Sequence, residues 1–119
     1  MENLPATLAT LACELRERRV SPIEVVEALL ERIESDETNA FITVTGERAL
    51  EAAARTEREI LSGEYRGALH GVPVALKDLI FTKGVRTTMG ATFFEDYVPN
   101  HSATVALKLE KAGAVMVGK

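Results

Sequence analysis

The stretch "GVPVALKD" at 71–78 constrains the fold of this chain more than any other. It is a nearly continuous apolar run enriched in valine. Such runs form strands buried on both faces, as in the parallel sheet of an α/β protein. "AVMV" at 114–117 reads as a second buried strand, and "AFITV" at 40–44 as a third, short β-prone segment. Sheets of this kind need helices to cover them, and the remaining sequence offers several.

Leu4, Leu8, Leu11 and Leu15 recur at helical spacing, so an amphipathic first helix is expected to end near Arg19. A well-formed helix start follows in "VSPIEVVEALLERIES". Ser21 is placed as N-cap, Pro22 as first helical residue and Glu24 as capping-box partner. Val20 and Val25 are spaced to pack as a hydrophobic staple. The two helices make a hairpin. The alanine-rich "ERALEAAARTEREILSG" predicts a third helix with Ala49, Ala53 and Ile60 on one side and Gly63 closing it. "SATVALKLEKAG" predicts a fourth, capped by Ser102, closed by Gly113, and burying Val105, Ala106, Leu109 and Ala112. Residues 79–101 show no sustained period. A loop of that length in a compact domain is functional or disordered.

Composition narrows the class. The net charge of -4 lacks the basic footprint of a protein that grips nucleic acid or an anionic membrane. The N-terminus has neither the basic start nor the unbroken apolar core of a secretory signal, and no window reaches the apolar length of a membrane helix. The single cysteine, Cys13, cannot form an internal disulfide and is expected to be a buried or half-buried filler. A cytoplasmic location is therefore expected. His70 and His101 lack the Cys/His partners of a structural metal site, so neither metal nor cofactor is expected.

"GAVMVGK" at 113–119 fits seven positions of the phosphate-binding loop, yet the context is reversed. That loop follows a strand and opens a helix. Here Gly113 follows a helix, and Ala, Val, Met and Val suit an extended strand. The match is a false positive.

The more informative residue is Lys77, at the carboxyl end of the 71–78 run, where open α/β sheets place ligand sites. Val72, Val74 and Leu76 alternate to one face, while Pro73, Ala75 and Lys77 share the other. The small neighbours leave room for a long side chain. Desolvation there would favour the neutral, basic amine, while the alternative is a lysine that simply reaches water at the strand end. A lysine acting as a base near pH 7 needs about 4 kcal/mol of such differential stabilisation. Asp78 is placed either to orient Lys77 or to hold the loop, and it is expected to face away because its charge would oppose the effect of that desolvation. Thr87, Thr88 and Gly90 are placed to shape the turn beside it, and His70 to make local hydrogen bonds.

Residues 68–119 resemble the amidase signature family. "LHGVPVALKD" and "TKGVRTTMGA" follow its pattern, as do the helix "SATVALKLEKAGA" and the strand ending in Gly118 and Lys119. "SPIEVVEALLERIE" and "NAFITV" also look like the opening of these enzymes. The resemblance implies a mixed, mostly parallel sheet flanked by helices, preceded by the helical hairpin. It implies a triad of serine nucleophile, bridging serine in a cis peptide and lysine, and Lys77 matches the catalytic lysine. Both serines follow the G-K strand in the family pattern. Residues 1–119 are thus expected to form one incomplete amidase domain, with the hairpin at 1–36 and the start of the α/β catalytic core at 37–119. Alone they are expected not to hydrolyse amides. The substrate implied for the complete enzyme is a small-molecule amide, or glutamine in members that pass ammonia to a partner subunit that amidates misacylated transfer RNA. Either a partner subunit or a homodimer fits. A non-catalytic assembly module and a split enzyme are the rival readings.

Overall fold

The computed structural model describes residues 3–119. Helices α1 (Leu8–Arg16), α2 (Pro22–Glu34) and α3 (Gly46–Leu61) precede strand β1 (Pro73–Ala75). A 3-10 turn at Thr92–Phe94, helix α4 (Thr104–Lys111) and strand β2 (Val115–Gly118) complete the order.

Local sequence chemistry accounts for the helix ends. Ser21 accepts from the backbone N–H groups of Ile23 and Glu24, and the Glu24 carboxylate accepts from Ser21 N, completing the capping box. Val20 and Val25 meet in one apolar cluster with Leu11, Ala12, Leu15 and Val72, which ties α1 and α2 to the start of β1. Helix α3 buries Ala49, Ala53 and Ile60, as its pattern predicts. With Val26 of α2 and Val115 and Val117 of β2, the two alanines form the second cluster. Small side chains on α3 let its backbone lie close to the sheet.

β1 and β2 pair in parallel, with Pro73 opposite Val115, Val74 opposite Met116 and Ala75 opposite Gly118. The register shifts between Val74 and Ala75. The predicted strand at 40–44 shrinks to an antiparallel bridge between Val44 and Gly118, supported by backbone bonds from Ile42 and Thr43 to the Lys119 carbonyl. Gly113, at φ 81, joins α4 to β2. The "GAVMVGK" stretch is therefore a helix-to-strand joint, and the phosphate cradle is absent.

Several expectations need correction. Helix α1 starts at Leu8 and stops at Arg16; Leu8 is exposed, while Leu4, ahead of the helix, packs against the cluster of Leu11 and Leu15. Cys13 is exposed because it lies off the face of Leu11 and Leu15. Ser102 does not cap α4. Its hydroxyl accepts from Lys83 N at 2.8 Å, and Ala103 takes the cap position. Val105 is exposed, leaving Ala106 as the buried residue of α4. Ala75 is exposed, so β1 is not covered on both faces. The 79–101 segment is ordered by its own backbone bonds, among them Gly84 N to Pro99 O and Thr87 N to Tyr97 O. Among the described residues no helix is long and apolar enough to cross a membrane.

Candidate functional site

Two parallel strands end side by side, and a lysine follows each end. Lys77 comes two residues after β1, and Lys119 one residue after β2. Both border a cleft of about 520 Å³ together with Phe41, Ala75, Asp78 and Gly90. The carboxyl ends of parallel strands are where such sheets bind ligands.

The two lysines differ in environment. Lys77 is exposed. The desolvation expected for it is found instead at Lys119, whose side chain is wholly enclosed. The Lys119 ammonium donates to the Ile80 carbonyl and to Thr87 Oγ1, each at 2.6 Å. Burial pushes its pKa below the ordinary lysine value, and the Asp78 carboxylate at 4.0 Å opposes that shift.

Asp78 is buried where Lys77 is exposed, and it holds the loop. Its Oδ2 accepts from Thr88 N at 3.1 Å and from the Thr88 hydroxyl, while its carbonyl accepts from Met89 N at 2.9 Å. Oδ1 makes no hydrogen bond among the described residues. Thr87, fully buried, passes its own hydroxyl hydrogen to the Val85 carbonyl. Thr87 and Thr88 therefore do more than shape a turn: each fixes a buried charge.

The glycine before Lys119 has a steric reason. A Cβ at Gly118 would lie 2.6 Å from the Thr43 carbonyl oxygen and 2.8 Å from the Phe41 ring. Only glycine lets the 41–43 segment close over the end of β2.

His70 lies outside the cleft. Its ring is buried, Nδ1 accepts from Arg66 N at 3.1 Å, and Nε2 is 2.7 Å from the Glu59 carboxylate. That pairing puts the proton on Nε2 and gives the residue the local role expected of it. Burial raises the Glu59 pKa, but the His70 hydrogen bond and the Arg66 charge outweigh it and hold the carboxyl below its ordinary value. His101 is exposed. Among the described residues no group of three His, Cys, Asp or Glu is placed to hold a metal.

Sequence reasoning singled out Lys77 and passed over Lys119. The signal was available, because Lys119 also stands at the carboxyl end of a predicted strand.

Comparison with known proteins gives one answer. The sequence profile of the Amidase family matches residues 24–119. One of the glutamyl-tRNA(Gln) amidotransferase subunits of Geotalea daltonii is 44% identical over 121 residues, covering 100% of this chain and 25% of the relative. The peptide amidase of Stenotrophomonas maltophilia superposes with a TM-score of 0.88 at 32% identity, over 96% of this chain and 24% of that one. A bacterial aryl acylamidase of the amidase signature family gives a TM-score of 0.86 at 30% identity, over 94% and 24%. The chain thus spans about a quarter of the length of the relatives it matches.

Proposed function

Because the chain belongs to the Amidase family, we propose that it supplies Lys77 as the proton-transfer lysine of a serine-dependent amide-cleaving site. The observation that carries this reading is placement. Lys77 lies in the segment that follows the family pattern, at the rim of the cleft where two parallel strands end. In the family pattern the nucleophilic and bridging serines follow position 119, so they come from outside these residues.

The chemistry asks Lys77 for a lone pair, which requires the rest of the site to shield from water an amine that is exposed here. A neutral amine accepts a proton through the bridging serine, which draws the proton from the nucleophile. The nucleophile's oxygen then bonds to the amide carbonyl carbon. Collapse of the tetrahedral adduct breaks the C–N bond, and the relayed proton leaves with the amine or ammonia. Water or another acceptor then attacks the acyl ester and restores the serine.

A second reading refines the first. The identity of 44% over the whole chain to an amidotransferase component, against 32% to a peptide amidase, favours glutamine as the amide. On that reading the ammonia goes to misacylated transfer RNA held by a partner subunit. The net charge of -4 accords with a partner, not this chain, binding the nucleic acid.

A hybrid tests both readings. Residues 1–119 replace the matching quarter of the Geotalea daltonii relative, and ammonia release is followed from glutamine and from simple carboxamides. The hybrid is expected to release ammonia, and Lys77→Met to lower kcat by about a thousandfold or more. A Lys77→Met hybrid with full activity would sink the assignment. Release from carboxamides but not glutamine would remove the second reading alone.

A further inference from the structure

Enclosing a lysine ammonium is costly unless its partners are well placed, so the partners of Lys119 show what it does. Ile80, Thr87 and Asp78 all lie in the segment that begins immediately after Lys77. On the strand side of Lys77, the Gly118 carbonyl accepts from Leu76 N at 3.1 Å. Between these anchors, Ile80 N donates to the Lys77 carbonyl at 2.9 Å and closes a turn. Gly118 and Lys119 therefore hold the chain on both flanks of Lys77, one by a carbonyl and the other by an ammonium.

We propose that Lys119 is a positioning residue, whose buried ammonium pins the 77–80 turn against the end of β2 and so sets where Lys77 stands in the cleft. This rests on the reading of Lys77 as the proton-transfer lysine. Lys119 is not a second reacting amine, because its side chain is enclosed and both its hydrogen bonds run to loop acceptors. Among the described residues Asp78 is the one other charged side chain bordering the cleft beside the two lysines, since Phe41, Ile42, Met89 and Gly90 contribute none. Its Oδ2 is committed to Thr88, which ties the far side of the same loop to the turn.

Two variants test this. Lys119→Met removes the ammonium while keeping most of the side-chain length. Thr87→Val removes one acceptor and leaves the charge, and it carries the test where Lys119→Met fails to fold. In the 119-residue chain, amide exchange at Ile80 and Met89 is expected to accelerate about tenfold or more, with Ala53 of α3 unchanged. In the hybrid, kcat is expected to fall about ten- to a hundredfold, with KM and the pH profile unmoved. Unchanged exchange at Ile80 and Met89, or unchanged kcat despite faster exchange, overturns the proposal. A displaced pH profile also overturns it, since Lys119 would then titrate in the reaction. Loss of the Lys77 assignment is separately visible as a Lys77→Met hybrid that stays active, whatever the exchange data show.

Discussion

Gly113→Ala is expected to be among the most damaging single-methyl changes in this chain, and two effects combine to make it so. Gly113 sits at φ 81, and a Cβ there would lie 2.4 Å from His70 Cδ2 and 3.1 Å from Cγ. The left-handed backbone costs a side-chain-bearing residue about 1–2 kcal/mol. Overpacking against a ring that cannot move adds about 1–3 kcal/mol. The ring is fixed because it is buried, with both nitrogens engaged by Arg66 N and Glu59. The total of about 2–5 kcal/mol corresponds to a loss of roughly 1–3 M in the urea midpoint for a small domain. Gly90 provides the control. It has φ 71 but nothing within 4 Å of a new Cβ, so Gly90→Ala should cost about 1–2 kcal/mol, the backbone strain alone. Urea melts of both variants separate the two effects. In a His70→Ala background, Gly113→Ala should cost no more than Gly90→Ala does. Equal losses for the two glycines in the wild-type background would refute the clash.

Three further outcomes are expected. The Lys119 pKa is depressed below 10.5, so the unfolded chain binds this proton more tightly than the folded one. Stability should therefore rise with pH from the folded value up to 10.5, and a Lys119→Met variant should lack that rise in urea melts at stepped alkaline pH. Glu59 is also held below its ordinary value of 4.5, but as an acid. Its contribution is present above 4.5 and lost as pH falls through the folded value, so Glu59→Gln should flatten the acid limb of the stability curve. Arg86 donates to Thr43 Oγ1, the Ile42 carbonyl and the Glu95 carbonyl from one planar group. An ammonium cannot reproduce that fork, so Arg86→Lys should cost about 1–3 kcal/mol in the same assay.

What the sequence disclosed follows from how local each determinant is. The Ser21 capping box, the alanine face of α3 and the glycine closing α4 depend on residues within one turn of each other, and all three appear as predicted. The parallel pairing of 72–76 with 115–118 was implied by two apolar runs of buried character. Exposure was harder to read. Val105 and Leu8 sit in apolar stripes but stay exposed, because a stripe reports that a face is apolar, not which element covers it. Ser102 looked like a helix cap because serine precedes the helix, yet its hydroxyl is taken by Lys83 N, nineteen residues away. The Lys119 cluster was invisible for the same reason. Its partners at 78, 80 and 87 are distant in sequence and meet through the course of an irregular loop, for which periodicity gives no signal.

The shift of register in the sheet has an electrostatic consequence. Pro73 faces Val115 and Val74 faces Met116, an offset of 42 residues, and an unbroken ladder would set Lys77 level with Lys119. Neighbours at one level of a sheet project to the same side. Two ammonium groups would then stand together, each disfavouring the charge of the other. From Ala75 onward the offset is 43, which brings Leu76, not Lys77, level with Lys119. One irregular residue reverses the phase of everything after it. Leu76 and Lys119 turn inward together, and Lys77 turns outward to the cleft. The register shift sorts two lysines of similar sequence context into opposite surroundings, one facing the protein interior and one facing water.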